Sequence, residues 1–240
     1  WQAFDEPQLV GELRQDMPRA REHFSFKYAE SWLQSGHARA IDPDLALVQG
    51  EQHAAGDDNF RIFLDSCPDR WGRTLMQRRD AILARQESRV PRRLTELDYL
   101  LGVHDTYRIG ALRFKEDIAG SFMNDLDELA APPITSLAEL EQAAWHIQDT
   151  RNDNDPQVAR WLGMLISPGS SLGGARPKAS VTVGDNELWI AKFPGREDGY
   201  DVAAWEYLTY QLALDAGVVM AQCDIRTLGN QYRTFLAKRF

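Results

Sequence analysis

Cysteine is scarce in this chain, and so is net positive charge. The two cysteines, Cys67 and Cys223, lie far apart and show no C-x-x-C spacing. This excludes a disulfide framework and a zinc site built on cysteine pairs, and we expect both thiols to be small core residues. Lysine and arginine together number 27 against 36 aspartates and glutamates, for a net charge of −9. A chain this acidic is not expected to bind nucleic acid by itself, because neutralising phosphates takes clustered basic side chains.

Long apolar runs are also missing. No stretch approaches the roughly 18 consecutive apolar residues that a membrane helix needs, and no basic leader precedes an apolar segment. We therefore expect a globular, cytoplasmic protein with no membrane partner. A chain of 240 residues that is 43% hydrophobic can bury one large core or two modest ones.

The charge is unevenly distributed along the chain. Residues 60–115 hold 12 lysines and arginines against 7 acidic residues, whereas residues 116–159 hold 1 against 10. Solvated helix surfaces would explain both segments. The alternative is that residues 60–115 form a basic patch for an acidic partner.

A glycine-rich run, Gly169 to Lys178, is the most informative feature that is present. It reads Gly-Ser-Ser-Leu-Gly-Gly-Ala-Arg-Pro-Lys, and two predicted strands follow it, the second ending near Lys192. Glycines let successive backbone N–H groups turn toward an anion, and a lysine on a following strand can reach the same phosphates. The spacing matches neither G-x-x-x-x-G-K-[ST] nor G-x-G-x-x-G, so the loop taken alone also fits an ordinary connector.

Four segments together resemble the HipA family of bacterial serine/threonine kinases. Residues 167–193 are similar to that family's glycine-rich loop, Ser-Ser-x-Gly-Gly-Ala-Arg-Pro-Lys, and the lysine-bearing strand behind it. Phe60 to Arg73 resembles the family's Phe…Asp-Ser-Pro-Asp-x-Trp-Gly segment. Arg108 to Phe114 is similar to its Arg-Met-Gly-Ala-Leu-Arg-Phe segment, and Phe24 to Tyr28 to an early strand. The four matches occur in the family's order over nearly the whole chain.

The resemblance implies an α+β fold in two parts. Residues 1–120 would be a mixed β/helical N-terminal subdomain, and residues 121–240 a small kinase-like lobe of helices, glycine-rich loop and antiparallel strands. The linker lies near residues 116–136, where the composition turns to alanine, glycine and proline. The catalytic lobe of the family would be absent from this chain.

Periodicity and capping residues predict the elements. Thr95 is a candidate N-cap, Ser136 and Glu139 have capping-box spacing, and Asp201 precedes an apolar pattern whose Val202, Trp205, Thr209 and Leu212 we expect to face the core. The predicted helices cover 69–85, 95–101, 136–148, 155–166 and 201–213, and the predicted strands 24–28, 109–114, 179–183, 188–193 and 232–240.

Within the resemblance, the glycine-rich loop and Lys192 bind ATP. The backbone of Gly173 to Lys178 would cradle the β- and γ-phosphates, and Lys192 would steady the α- and β-phosphates, with Glu206 as a candidate ion-pair partner. Strand alternation places Leu188, Ile190 and Lys192 on one face, where the apolar pair could cover an adenine ring. The implied cofactor-binding residues are Gly173, Gly174, Ala175, Arg176, Pro177, Lys178, Lys192, Lys238, Arg239 and Phe240.

Two further positions carry family roles. Lys238-Arg239-Phe240 is similar to a Glu-Arg-Phe-Asp segment that lines the adenine pocket, but Lys238 replaces the usual glutamate, so recognition there would fall to the backbone. Ser171 matches a position of autophosphorylation, where a phosphate would add about two negative charges and eject the loop. Alternatively, Ser171 only supplies a hydrogen bond within the loop.

The chain contains no Asp-Phe-Gly or Asp-Phe-Asp segment and begins at Trp1, so we expect a fragment whose catalytic acids and Mg²⁺ ligands lie elsewhere. The parent would be an ATP- and Mg²⁺-dependent serine/threonine kinase acting as a toxin or regulator. Family resemblance implies a HipB-like helix-turn-helix antitoxin as partner, DNA contact only through it, and a protein substrate such as an aminoacyl-tRNA synthetase.

Two alternatives remain open. The chain could be a non-catalytic interaction or nucleotide-binding module that is complete as it stands. It could also be an unrelated phosphate-binding protein, although that would not explain the matches at Trp71-Gly72 and Arg108 to Phe114.

Overall fold

The fold is α+β, as predicted, with two antiparallel sheets and seven helices among the described residues. It is known from a computed structural model. That structure describes residues 4, 6–18, 21–56, 59–105, 108, 110–123, 136–149, 157–170, 174–184 and 187–239, with no side-chain detail for 166–170.

The first sheet forms the N-terminal core. Its strands are β1 (Gly11–Asp16), β2 (His23–Tyr28) and β3 (Glu51–His53), in the order β1-β2-β3. Aromatic side chains of β2 pack against three helices, α1 (Glu30–Leu33), α2 (Arg61–Asp65) and α4 (Glu96–Leu101). Large aromatic rings bury about 150–250 Å² each, so they contribute strongly to this small core. Its fully or nearly fully buried rings are Phe24, Phe26, Tyr28, Trp32, Phe60 and Phe63.

The second sheet has four strands and one helix crossover. Its strands are β4 (Lys178–Val183), β5 (Glu187–Lys192), β6 (Cys223–Arg226) and β7 (Thr234–Lys238), in the order β4-β5-β7-β6. Helix α7 (Val202–Asp215) connects β5 to β6. Helices α5 (Leu137–Ile147) and α6 (Gln157–Ser170) cover the face that carries Ala179, Val181, Trp189 and Ala191.

Helix α3 (Arg70–Gln86) ties the upstream part of the chain to the second core. Trp71 and Leu75 are buried together with residues of α5, α6 and the second sheet. The same helix is linked to the first unit by the ion pair between Arg73 and Glu96 of α4, 2.6 Å long. The second core therefore contains residues from both sides of residue 120, and the domain boundary there stays a prediction.

Several predicted elements are confirmed. Helix α3 lies within one residue of its predicted bounds, and the predicted hairpin is the β4–β5 pair, with Ala179 opposite Ala191. Thr95 caps α4 in a capping box, since its hydroxyl accepts from the Asp98 N–H and the Asp98 carboxylate accepts from the Thr95 N–H.

Three local predictions are wrong. In the predicted strand 109–114, the described residues 110–114 form no strand. Side chains hold this part of the chain instead: buried Arg108 donates to the Leu100 and Val103 carbonyls, and Arg113 pairs with Asp105. Ser136 makes no side-chain cap hydrogen bond, since its backbone (ψ 7°) is not extended as a cap requires. Helix α6 continues to Ser170, four residues beyond its predicted end, so the loop begins later than predicted.

Two predictions fall partly or wholly outside the described residues. The N-cap proposed for α6, Asp155, and the proline after it are not described. The predicted last strand, 232–240, includes Phe240, which is not described, and the observed strand begins at Thr234, two residues later than predicted.

None of the helices in the described part of the chain is both long and apolar enough to cross a bilayer.

Candidate functional site

Two lysines face each other across the β4–β5 pair. Lys178, the first residue of β4, stands opposite Lys192, the last residue of β5. Their neighbours Ala179 and Ala191 are buried in the second core, so alternation places both lysines on the other face of the sheet. Lys178 is only 5% exposed, and burial, followed by the nearby charge of Lys192, lowers its pKa to about 8. The pair concentrates positive charge at one end of the sheet.

Glu206 of α7 completes this cluster, because its carboxylate forms an ion pair with the Lys192 ammonium. Helix α7 begins at its predicted N-cap, Asp201, which accepts from the Ala204 N–H at 3.0 Å. The Lys192 ammonium also lies 5.3 Å from the ring centroid of Phe235, directly opposite on β7. The predicted pairing of Lys192 with Glu206 is present in the structure.

The predicted inward face of α7 is wrong. Trp205 is 60% and Leu212 59% exposed, and Val202, Trp205 and Thr209 line an open depression of about 660 Å³ together with Tyr200 and Glu206. The buried side of α7 carries Ala203, which follows Val202, the first residue of the predicted inward face. Successive helical residues are about 100° apart around the axis, so the observed inward face is rotated by about that angle from the predicted one. This rotation places Glu206, which follows Trp205, over the sheet. Apolar residues all round α7 left its inward face undefined in the sequence.

The glycine-rich loop leads into β4 through Gly174. Gly174 has φ +88°, a conformation that favours glycine, and a Cβ there would lie 3.1 Å from the Lys178 ammonium. Its N–H donates to the Asp69 carboxylate, and its carbonyl accepts from the Trp71 N–H at 3.2 Å. The loop therefore contacts the first turn of α3.

Arg176 and Pro177 brace the loop rather than point at the lysines. The Arg176 guanidinium donates to both carboxylate oxygens of Asp198, at 3.2 and 2.8 Å. The Pro177 carbonyl accepts from the Phe193 N–H at 2.8 Å. Ala175 is exposed beside them. These contacts fix the segment between Gly174 and β4 against the chain that follows β5.

The end of β7 does not bring its side chains to the lysine pair. Lys238 pairs with Glu187 at the start of β5, 2.6 Å away, and the register puts Trp189 rather than Lys192 opposite it. The Arg239 guanidinium donates to the Arg108 carbonyl at 3.3 Å.

The backbone N–H groups at this end of β7 are also engaged. The Lys238 N–H donates to Gln222 and the Arg239 N–H to Leu188, both at 2.8 Å. Backbone recognition of adenine by these two residues would therefore use their carbonyls.

Three predicted site residues, Ser171, Gly173 and Phe240, lie outside the described residues. In the part of the chain that is described, no group of three or more His, Cys, Asp or Glu side chains could hold a metal ion.

Sequence reasoning missed three residues at the site. Asp69 and Trp71 contact the loop, whereas the sequence predicted only a helix and a family match for their segment. Cys223 lies near Lys192 and Glu206, and burial, with a smaller contribution from Glu206, raises the pKa of its thiol. Both cysteines are half-buried rather than fully enclosed in a core.

Comparison with protein families accounts for most of the chain. The HipA N-terminal domain matches residues 3–115, and the HipA-like C-terminal domain matches residues 170–240. Together the two matches cover about three quarters of the sequence, including the lysine pair, Glu206 and the first turn of α3. A search of curated proteins gives no significant match. The chain belongs to the HipA family.

Proposed function

We propose that this chain carries the nucleotide-binding part of a HipA-like serine/threonine protein kinase that uses ATP and Mg²⁺. The observation that carries the proposal is the Lys192–Glu206 ion pair between a sheet strand and the helix that follows it. In protein kinases, a strand lysine that contacts the nucleotide phosphates is positioned by a helix glutamate in this way. In this chain, too, the strand that carries the lysine, β5, is followed by the helix that carries the glutamate, α7, and then by strands β6 and β7 of the same sheet.

The burial of Lys178 favours an anionic ligand. Lys178 and Lys192 face each other, Glu206 pairs with Lys192, and the Asp69 carboxylate and the Arg176 guanidinium also act on the charge of Lys178. Burial makes that charge costly for Lys178, and a phosphate group would offset the cost. In the proposal, Lys192 contacts the α- and β-phosphates, and the segment ending at Lys178 contacts the β- and γ-phosphates.

The face beside Lys192 suits the rest of the nucleotide. Leu188 and Ile190 are half-buried on the same face of β5 and offer apolar area to an adenine ring. Residues from this sheet would therefore hold both ends of ATP. The acids that hold Mg²⁺ and orient the acceptor hydroxyl are proposed to come from elsewhere in the protein.

The biological setting is proposed from the family. The kinase would be a cytoplasmic toxin or regulator that pairs with a HipB-like helix-turn-helix antitoxin, with DNA contacted only through that partner. Its substrate would be a protein, with aminoacyl-tRNA synthetases as the first class to examine.

A non-catalytic interaction module is the second candidate. Large apolar side chains are exposed on and after α7, with Trp205 at 60%, Leu212 at 59% and Val219 at 98%. Exposed apolar residues on one element favour association with another protein surface. This candidate predicts binding of a partner or nucleotide without phosphate transfer.

The two candidates are separated by binding and transfer assays on the full-length gene product. We expect it to bind ATP·Mg²⁺ and to transfer labelled phosphate to itself or to a protein partner. Lys192→Ala should lower transfer about 100-fold or more, because it removes a charge that stabilises the transferring phosphates, and Glu206→Gln should lower it less. Lys27→Ala, an exposed lysine of β2, is the control and should leave transfer unchanged.

The outcomes are distinct. Binding without transfer would favour the interaction module. Absence of both binding and transfer, or transfer that is insensitive to Lys192→Ala, would contradict the kinase proposal.

A further inference from the structure

The first turn of α3 contacts both ends of the segment from Gly174 to Lys178. The Trp71 N–H donates to the Gly174 carbonyl at 3.2 Å, and the Trp71 indole N–H donates to the Lys178 carbonyl at 2.9 Å. The Asp69 carboxylate accepts from the Gly174 N–H. Three hydrogen bonds thus join residues that are more than one hundred positions apart in sequence.

These contacts give hydrogen-bond partners to backbone groups of both the helix and the loop. The first N–H groups of a helix have no partner within it, and the Trp71 N–H obtains one from the loop. Asp69 is the N-cap residue of α3, yet its side chain makes no cap hydrogen bond, and its carboxylate accepts from Gly174 instead. Both backbone polar groups of Gly174 are thereby engaged by α3.

The Trp71 side chain is deeply buried, which holds this connection in place. It is only 4% exposed and packs in the second core with Leu75 and the α6 side chains. The indole N–H fixes the carbonyl of Lys178 at the first residue of β4, which determines where that lysine enters the sheet beside Lys192. Trp71, a buried residue of α3, therefore helps to position Lys178 in the second sheet.

We propose that Asp69 and Trp71 are positioning residues that hold the segment from Gly174 to Lys178 in the arrangement that nucleotide binding requires. The inference rests on the proposed function, because it concerns the same site. A segment that is already held in place loses less conformational freedom when it binds phosphates, so its affinity is higher than that of an unrestrained segment. Neither residue needs to touch the nucleotide to have this effect.

The test uses Trp71→Phe and Asp69→Ala in the full-length gene product. Phenylalanine keeps the buried ring and removes only the indole donor, and alanine removes the carboxylate while the helix loses no cap hydrogen bond. Trp32→Phe is the matched control, because Trp32 is also 4% exposed and its indole donates to a backbone carbonyl, that of Arg39, in the first core. Asp44→Ala, at an exposed aspartate paired with Arg61, is the control for Asp69→Ala.

Two readouts separate this inference from the proposed function. The first needs no ligand: amide hydrogen exchange of the peptide containing residues 174–178 should quicken about tenfold in Trp71→Phe and in Asp69→Ala, as expected for loss of one hydrogen bond. The second is ATP·Mg²⁺ affinity, which should fall about tenfold in both variants. Both controls should leave both readouts unchanged.

A third readout is specific to positioning. If Trp71→Phe loosens the entry of Lys178 into the sheet, Lys178 becomes better solvated, and the pH at which ATP affinity declines should move upward from about 8. The charged groups that act on Lys178 are Lys192, Asp69, Arg176 and Glu206, and Trp71→Phe replaces none of them. A loss of global stability alone would not move that midpoint.

Each result has a definite reading. Unchanged exchange at 174–178 in both variants overturns the inference, whether or not ATP binds. Faster exchange with equal or tighter ATP binding also overturns it, and tighter binding in Asp69→Ala would show that the carboxylate competes with phosphate for the Gly174 N–H. If the wild-type protein binds no ATP, the proposed function fails, and exchange alone then decides whether α3 holds the loop.

Discussion

At the residue scale, the environment of Lys178 goes beyond what its sequence position indicates. A lysine beside a proline after a glycine-rich run is compatible with phosphate contact or with simple exposure, and in the structure Lys178 is buried opposite Lys192. The sequence indicated that this lysine ends the glycine-rich run, because the run and the strand predicted after it are both recognised from neighbouring residues. Its burial depends on the covering elements, which local signals do not report.

The lowered pKa of Lys178 predicts a specific pH dependence of stability. In the folded protein this pKa is about 8, against an ordinary value of 10.5, so between these values the unfolded chain binds more protons than the folded one. The free energy of unfolding should therefore rise with pH from about 8 to about 10.5, and the full penalty should be present below 8.

Urea denaturation across this pH range would measure the effect. Lys178→Met should remove a rise on the order of 2 kcal/mol that wild type shows, since groups outside this cluster titrate equally in both proteins. Lys27→Met, at an exposed lysine, is the control and should keep the rise. Parallel curves for wild type and Lys178→Met would show that Lys178 has an ordinary pKa.

At the element scale, patterns with one strong signal predicted the structure well, and ambiguous patterns did not. The hairpin of β4 and β5 and the capping box at Thr95 each rest on adjacent residues that act on each other directly. Helix α7 carries apolar residues on all sides, so its inward face depended on the partner sheet and on Glu206. Arg108 illustrates the same limit, because a segment that reads as a strand is held by a guanidinium instead.

The orientation of α7 predicts unequal costs for two leucine substitutions. Leu212→Ala should lower the free energy of unfolding by about 0.5 kcal/mol, because the side chain is 59% exposed. Leu236→Ala in β7, where the leucine is 1% exposed, should cost about 3 kcal/mol through lost burial and a residual cavity. Denaturant unfolding of both variants checks this, and equal losses would mean that the Leu212 side of α7 does face a core.

At the scale of the whole molecule, the candidate site depends on both parts of the chain. The lysine pair and Glu206 come from the second sheet and α7, whereas Asp69 and Trp71 come from a helix far upstream. The sequence predicted the helix that carries Trp71 and Leu75, but local periodicity holds no information on which core receives its apolar face. The sequence alone therefore did not predict the contact between α3 and the second core.

The central claim is that ATP binds at the Lys178–Lys192 pair, and lysine footprinting tests it most directly. The chain has only five lysines, Lys27, Lys115, Lys178, Lys192 and Lys238, so each can be followed separately by mass spectrometry after brief acylation. ATP·Mg²⁺ should lower the labelling of Lys178 and Lys192 and leave Lys27, Lys115 and Lys238 unchanged. Unaltered labelling of Lys178 and Lys192 at saturating ATP, or protection at Lys238 instead, would contradict the account.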